Sequence, residues 1–236
     1  SCLMTDGPRG KARKHLNERL AALHQRAMQI EEQLKNLDSC RFYRACIFGS
    51  ARIKSESEEY NEAFELARYF AWAGIDVLTG GGHGLMEAAN KGAQVGRSEQ
   101  KTKSLSFGIS IQLPHEPEPN MHLDIKRHHY KFSSRLDDFI RLSNAIVCLP
   151  GGIGTLLELA FSWQLVQVKH IKPRPIILLD KNFWAGFMSW MKGEVLTRGL
   201  VSQHDFESIV IVDTPQEAFE VVSKDFESWR KTCEIG

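Results

Sequence analysis

The chain has few of the features that mark secreted, membrane-bound or nucleic-acid-binding proteins. Its five cysteines are widely spaced and include no C-x-x-C pair, which argues against a disulfide framework and a thiolate zinc site. No apolar run approaches the roughly 20 residues of a membrane-spanning helix, and the N-terminus lacks the basic-then-apolar order of a signal peptide. The formal net charge is only +1, so no overall field favours nucleic acid or an anionic membrane. We therefore expect a cytoplasmic protein without a nucleic-acid or membrane partner.

Internal repeats and low-complexity tracts are also missing, but the first 40 residues differ from the rest. Apolar residues there alternate in steps of four and three, which predicts an amphipathic helix from about Gly10 to Leu37. The stripe consists of Leu16, Leu20, Leu23, Ala27, Ile30, Leu34 and Leu37. We expect residues 1–40 to be a helical extension that packs on its own domain or on a partner subunit, with membrane or nucleic-acid binding as the alternative. Residues 41–236 are expected to form the catalytic domain.

From Tyr43 onward, short β-rich runs alternate with helical periodicity. Two of the runs, Ala145–Leu149 and Ile176–Leu179, are apolar throughout, as in strands covered by helices on both faces. The alternation predicts a Rossmann-like, doubly wound parallel α/β sheet. The expected strands are 43–48, 75–78, 106–113, 145–149, 175–179 and 209–212. The expected helices are 58–73, 85–95, 130–142, 155–169, 183–192 and 215–230.

Ligands of such sheets bind beyond the carboxyl ends of the strands, where helix N-termini direct amide groups outward. Gly49-Ser50 follows the first strand, and by itself it is as compatible with a plain turn as with a site. The second strand ends in Gly80-Gly81-Gly82-His83-Gly84, and three consecutive glycines favour close approach of a ligand to the backbone. Met86 and Glu87 open the next helix, and each is a candidate for nucleotide contact or for packing and dipole stabilisation.

The segment Pro150-Gly151-Gly152-Ile153-Gly154-Thr155 carries the most information. Its glycines expose a run of backbone amides, and Thr155 can cap the helix or donate its hydroxyl to an anion, which predicts a phosphate cradle. It is neither a P-loop, because no Lys-Ser/Thr pair follows, nor a G-x-G-x-x-G dinucleotide site.

Two charged side chains are expected beside this cradle. Glu158 follows Thr155 by three residues and projects from the same helical face, either towards the ligand or simply as a carboxylate favoured by the helix dipole. Arg135 lies near the start of the preceding helix, at the same sheet edge. The basic segment from Lys126 to Lys131 is expected to be mostly a solvated loop, and its histidine pair lacks the further ligands of a metal site. The loop 114–120 is expected near the site.

These residues resemble the LOG (lonely guy) family of nucleoside 5′-monophosphate phosphoribohydrolases, which are also labelled lysine decarboxylases. The P-G-G-x-G-T-x-x-E signature is matched by Pro150 through Glu158, the G-G-G-x-G-L-M element by Gly80–Met86, and the G-S turn by Gly49-Ser50. The resemblance implies that Gly151–Thr155 holds the 5′-phosphate and that Arg135 and Glu158 are catalytic. It also implies a homodimer, and a higher oligomer is possible.

One departure concerns specificity. Plant-type members have lysine after the catalytic arginine and methionine a little later, where this chain has Leu136 and Phe139. We therefore expect a hydrolase that acts on AMP or a cytokinin-type nucleotide, without a metal or organic cofactor. The alternatives are a non-catalytic nucleotide or molybdenum-cofactor carrier, and a pyridoxal-phosphate lysine decarboxylase.

Overall fold

A computed structural model describes residues 7–38, 42–115 and 117–235, and the chain divides into two compact units between Arg41 and Phe42. Two of the five cysteines, Cys2 and Cys40, lie outside the described ranges, as does Glu116 of the loop 114–120. Among the described cysteines, Cys46 and Cys148 are free and buried. Cys233 is in a disulfide, a bond that the sequence analysis, which argued against a disulfide framework, did not predict.

The described residues of the first unit form one helix, α1 (Pro8–Asp38). The apolar stripe predicted from the sequence lies on this helix, and its leucines at positions 16, 20, 23 and 34 are exposed; Leu16 and Leu23, for example, are 60% and 64% accessible. The helix prediction is thus confirmed, whereas the surface that covers the stripe stays a prediction.

The second unit is built on a seven-stranded sheet in the order β4-β3-β2-β1-β5-β6-β7, in which every neighbouring pair is parallel. The inner strands β1, β2, β5 and β6 are almost wholly buried, as their continuous apolar runs predict. The strands are β1 (Arg44–Phe48), β2 (Asp76–Thr79), β3 (Ser106–Ile111), β4 (Ile125–His129), β5 (Ala145–Cys148), β6 (Ile176–Leu179) and β7 (Ile209–Val212).

Helices cover both faces of this sheet, which confirms the predicted fold class. Helices α2, α3 and α7 pack on one face, around Ile47 and Val77. Helices α4, α5 and α6 pack on the other, around Phe48 and Cys148. Their bounds are α2 (Glu58–Trp72), α3 (Leu85–Gln100), α4 (Phe132–Leu142), α5 (Ile153–Gln167), α6 (Lys181–Trp190) and α7 (Pro215–Ile235).

Strand β4 corrects the sequence analysis, which expected residues 126–131 to be mostly loop. Residues 125–129 pair with β3 in parallel register, with Ser110 opposite His128. No helix lies between the two strands in residues 112–115 and 117–124, the part of the connection that the structure describes. The connection is the proline-rich loop, which runs back over the sheet and lines the cavity described below.

The order of strands reverses between β1 and β5, because β2 lies on one side of β1 and β5 on the other. Such a switch point opens a crevice at the carboxyl ends of the strands. Gly49-Ser50 follows β1 and Pro150–Thr155 follows β5, so two of the three predicted turns border this crevice.

Candidate active site

The turn after β1 connects the other two glycine-rich turns. The backbone amide of Ser50 donates to the carbonyl of Pro150 at 3.0 Å, and the carbonyl of Ser50 accepts from the amide of Leu85 at 3.0 Å. Gly49 is packed against Leu85 and Leu149 so closely that a Cβ atom would collide with Leu85. Close packing and hydrogen bonds therefore hold the three turns together, and glycine at position 49 permits it.

A buried network of amides supports the turn at Gly80–Gly82. Thr79 Oγ1 accepts from the amide of Gly81 at 2.9 Å and donates to Asn90 Oδ1 at 2.6 Å. Asn120 donates through Nδ2 to the carbonyl of Gly82 at 2.8 Å and to Asn90 Oδ1 at 3.1 Å. Burial strengthens such bonds and makes each unpaired group costly, so the network fixes the shape of the turn.

Asn90 and Asn120 were missed by sequence reasoning. Asn90 is fully buried within α3, where a polar residue in a run of small apolar residues was the available signal. Asn120 lies at the end of the proline-rich loop, which sequence reasoning had placed near the site.

The loop Pro150–Thr155 presents the N-terminus of α5 to solvent. Gly152, Ile153 and Gly154 are exposed, and the N-cap position, Gly152, makes no side-chain capping hydrogen bond. Thr155 is buried, and its side chain lies so close to Gly151 that any Cβ there would collide with it. A helix start without a side-chain cap leaves backbone amides and the positive dipole end for an anion.

Arg135 is held at the rim of the second turn. Its Nε donates to the carbonyl of Ile109 at 2.8 Å and one terminal nitrogen donates to the carbonyl of Gly80 at 3.1 Å. The guanidinium lies over the ring of Phe139, 5.2 Å from its centroid. Phe139 is buried and packs edge-on against Phe48. The departure from the plant-type pattern at position 139 therefore places an aromatic face beneath the arginine.

Glu158 lies beside the switch point, one turn into α5. Burial raises the pKa of Glu158 from 4.5 to about 7, and the positive charge of Arg135 offsets part of that rise. After burial, the charge of Glu158 also contributes to raising the pKa values of the Cys46 and Cys148 thiols. The carboxyl thus stands among β1, β5 and Arg135, in surroundings that favour its neutral form but allow both forms near neutral pH.

A cavity of about 480 Å³ opens beside Arg135. The predicted residues Gly80, Gly81, Gly82 and Met86 line it together with Arg135, whereas Gly49, Ser50, Gly151–Thr155, Glu87 and Glu158 do not. Its far wall consists of Ser110, Gln112, His128 and the loop residues Pro117, Glu118 and Pro119. The candidate site therefore has two parts: an uncapped helix start at the switch point and a cavity on the β2–β4 side of Arg135.

His83 lines the cavity and lies near Glu87. His83 shares a 2.9 Å hydrogen bond between Nε2 and the carbonyl of Glu118, and its Nδ1 is 4.0 Å from the Glu87 carboxylate. His83 therefore connects the glycine turn to the proline-rich loop, and Glu87 interacts with His83 but not directly with the loop. In the described ranges, no group of three or more histidine, cysteine, aspartate or glutamate side chains could hold a metal ion.

The basic segment around β4 is partly neutralised by a buried carboxylate. Asp138 is buried in α4 and accepts from Arg127 Nε at 2.6 Å, from Arg141 at 2.5 Å and from His129 Nε2 at 2.8 Å. These bonds lower the pKa of Asp138, although its burial acts in the opposite direction. Arg127 and His129 thus attach the edge strand to α4 rather than forming a solvated anion site.

Residues 86–222, more than half of the chain, match the model of a protein family described as "Possible lysine decarboxylase". The matched region includes Arg135 and the segment from Pro150 to Glu158, but begins after Gly80–Gly82. None of the helices in the described ranges is long and apolar enough to cross a membrane.

Two curated relatives are similar in sequence. The chain is 34% identical over 112 residues to a pyrimidine/purine nucleotide 5′-monophosphate nucleosidase of Escherichia coli strain K12; the match covers 44% of this chain and 23% of that protein. The chain therefore spans about a quarter of the length of this relative. It is 25% identical over 197 residues to a probable cytokinin riboside 5′-monophosphate phosphoribohydrolase of Oryza sativa subsp. japonica, covering 80% of this chain and 87% of the rice protein.

A solved structure is similar in fold. The molybdenum cofactor carrier protein of Chlamydomonas reinhardtii superimposes with a TM-score of 0.58 and 21% identity, covering 79% of this chain and 99% of the carrier. Identity at this level shows a shared fold and nothing about activity.

Proposed function

We propose that this chain, which belongs to the family described as possible lysine decarboxylase, hydrolyses the N-glycosidic bond of a nucleoside 5′-monophosphate. The observation that carries the proposal is Glu158, whose pKa is raised to about 7 beside Arg135 and the uncapped start of α5. A carboxyl that titrates near neutral pH is suited to general acid–base catalysis. The two relatives above are named for enzymes of this class, which supports the same conclusion.

The substrate phosphate would bind the backbone amides of Ile153, Gly154 and Thr155 at the start of α5. That arrangement needs no metal or organic cofactor, because the exposed amides and the helix dipole supply the positive potential. The ribose would then lie over the first turn of α5, near Glu158, and the base would extend past Arg135 into the cavity.

Hydrolysis at C1′ breaks the bond to the base nitrogen, and the bonding electron pair leaves with the base. The transition state carries positive charge on the ribose, which the Glu158 carboxylate stabilises. Glu158 takes a proton from water while the water oxygen forms the new bond to C1′, the leaving base takes up a proton from solvent, and Glu158 then returns its proton to solvent. Arg135, fixed by two carbonyls, keeps the ribose phosphate in register. The products are the free base and ribose 5-phosphate.

The test is release of ribose 5-phosphate from a panel of nucleoside monophosphates that includes AMP. We expect turnover by the wild type, with a loss of about 100-fold or more in Glu158→Gln. Glu220→Gln, on the exposed side of α7, is the matched control and should leave the rate unchanged. Equal rates for wild type and Glu158→Gln would remove Glu158 from the mechanism. Tight binding of nucleotides without any turnover would favour the carrier alternative.

The family description suggests decarboxylation, which would need a lysine to hold pyridoxal phosphate as a Schiff base. The described residues that line the cavity include no lysine. The absorbance of purified protein near the pyridoxal phosphate band distinguishes this alternative from the hydrolase.

We also propose that the protein forms a homodimer through one face of α5. Ile153, Leu156 and Leu157 are 82%, 38% and 44% accessible, and Ala160 on the same face is also exposed. An apolar stripe at helical spacing on the surface marks a binding face. A second copy of the chain is the simplest occupant, because a two-fold axis lets such a stripe pack against itself.

A further inference from the structure

The loop before β4 is attached to the glycine turn at Asn120, a residue that has no part in the hydrolytic steps. Asn120 is 1% accessible, and it does not belong to the described residues that line the cavity. Its backbone amide donates to the carbonyl of Gly81 at 2.9 Å, and its Nδ2 donates to the carbonyl of Gly82 at 2.8 Å. The three residues before it do line the cavity, and we call them the loop wall: Pro117, Glu118 and Pro119.

Only one orientation of the buried amides Asn120 and Asn90 satisfies their partners. The carbonyl of Gly82 can only accept and the backbone amide of His122 can only donate, so Nδ2 of Asn120 faces the first and Oδ1 the second, at 2.8 and 2.9 Å. Asn90 donates through Nδ2 to the carbonyl of Phe107 at 3.1 Å, and its Oδ1 accepts from Asn120 at 3.1 Å. Rotation of either amide would leave buried polar groups unpaired, which is costly.

The loop wall has a second attachment, at Glu118. The carbonyl of Glu118 shares a 2.9 Å hydrogen bond with Nε2 of His83, and this bond is exposed to solvent. The bond between Asn120 and Asn90 is buried, and water competes less for a buried hydrogen bond. Asn120 is therefore the stronger of the two attachments.

We propose that Asn120 is a positioning residue that holds the loop wall where it contacts the base of a bound nucleotide. The inference rests on the proposed function, because it assumes that the base enters the cavity. A wall that is already in place adds no ordering cost when the ligand binds. The hydrogen bonds of Asn120 and Asn90 do not involve the start of α5, where the phosphate is proposed to bind. Asn120 therefore acts on the affinity for the base and not on the affinity for the ribose phosphate.

The experiment measures calorimetric Kd values for AMP and for ribose 5-phosphate, which lacks the base, on the full chain carrying Glu158→Gln to slow hydrolysis. If another nucleoside monophosphate of the panel binds more tightly than AMP, it takes the place of AMP. Asn120→Asp keeps the size of the side chain but places an oxygen opposite the carbonyl of Gly82. Binding of AMP should weaken about tenfold, as when the competent arrangement falls to a tenth of the molecules, and binding of ribose 5-phosphate should stay the same.

Two further variants separate positioning from a general loss of stability. Tyr43→Phe is the control, because it removes a 2.6 Å hydrogen bond to Asp225 just before β1, at the other end of the sheet. It should leave both Kd values unchanged. Pro119→Gly loosens the loop wall without altering the buried amides, since proline restricts φ and glycine does not. It should fold even where Asn120→Asp does not, and it should weaken AMP binding alone.

Thermal unfolding first establishes that each variant is folded at the temperature of the binding measurement. Equal changes for both ligands in folded Asn120→Asp, or no change for either, would overturn the inference while the hydrolase proposal stands. If Asn120→Asp does not fold, an unchanged Kd for AMP in Pro119→Gly would overturn it as well. A wild type without turnover whose AMP binding is weakened by Asn120→Asp would overturn the hydrolase proposal and support the inference. Absence of nucleotide binding and turnover would overturn both.

Discussion

Glu158 owes its properties to its place one turn inside α5. The helix start is exposed through Gly154, and Glu158 follows one turn later, where burial raises the pKa of its carboxyl to about 7. The positive charge of Arg135, which donates a hydrogen bond to the carbonyl of Gly80, offsets only part of the rise in pKa that burial causes. Glu158 is therefore a candidate catalyst, and its ionisation also destabilises the folded state.

The catalytic role predicts a particular pH profile. The ionised form of Glu158 is the one that stabilises the ribosyl cation and accepts the proton, so kcat/KM should rise with pH through a midpoint near 7. Glu158→Gln should lose this limb. Since the substrate phosphate titrates near pH 6, any residual slope in the variant reports the substrate. A wild-type profile that is flat from pH 5 to 9 would contradict the assignment.

The raised pKa also predicts how stability depends on pH. The folded state holds the Glu158 proton more tightly than the unfolded state, so wild type should lose free energy of unfolding as pH rises from 4.5 to about 7. Glu158→Gln cannot ionise. The variant should therefore gain stability relative to wild type between pH 5 and pH 8, as measured by urea unfolding at each pH. An unchanged difference would show that the carboxyl is solvated.

For single residues, the sequence predicted those features of the site that depend only on the backbone of one short segment. The spacing of Gly151, Gly152 and Gly154 predicted an exposed helix start, and that start is present. The network of Thr79, Asn90 and Asn120 could not be predicted, because its partners come from β2, α3 and the loop before β4. Hydrogen bonds between such distant segments depend on the completed fold.

At the scale of elements, the tight pairing of α2 with α3 depends on two glycines. Gly92 and Gly96 lie where α3 meets the backbone of α2, and a Cβ atom at Gly92 would collide with the carbonyl oxygen of Phe64. Position 92 therefore sets the distance between the two helices. Since α3 begins at the glycine turn of the site, this packing also fixes the direction of that turn.

Gly92→Ala should destabilise the protein by about 1–3 kcal/mol, the usual cost of overpacking. The control is Gly186→Ala in α6, where no atom lies within 4 Å of the added carbon. There the change should stabilise by about 0.5–1 kcal/mol, because alanine has the higher helix propensity. Thermal unfolding distinguishes the loss of stability expected in Gly92→Ala from the gain expected in Gly186→Ala. An unchanged stability of Gly92→Ala would mean that α3 can shift at little cost.

The edge strand β4 is an element that the hydrophobic pattern of the sequence did not predict. Its sequence, Ile-Lys-Arg-His-His, has one apolar residue and no hydrophobic alternation, so composition indicated a loop. Its pairing depends on tertiary contacts. Asp124 exchanges backbone and side-chain hydrogen bonds with Ser106, and Arg127 and His129 bind the buried Asp138. An exposed edge strand has no buried face to impose a hydrophobic pattern.

At the scale of the whole molecule, the order of elements was predictable because a parallel sheet needs apolar strands and crossover helices in sequence. The family assignment made from Pro150–Glu158 was likewise confirmed by the match over residues 86–222. The surface through which the protein would form an oligomer could not be predicted in the same way. Two apolar stripes, on α1 and on α5, are both exposed, and the sequence pattern of each is equally compatible with a partner subunit.

Matched substitutions on α5 and α1 test whether the proposed dimer interface lies on α5. Leu157→Lys places a charge in the middle of the α5 face and should convert a dimer to a monomer in sedimentation or light scattering, because an unpaired charge in an interface is costly. Leu23→Lys makes the same change on α1 and should leave the dimer intact. The reverse result would move the interface to α1, and a monomeric wild type would remove the dimer altogether. Because Leu157 is 44% accessible in the single chain, the variant should fold, and unchanged thermal unfolding of the monomer would attribute the effect to assembly.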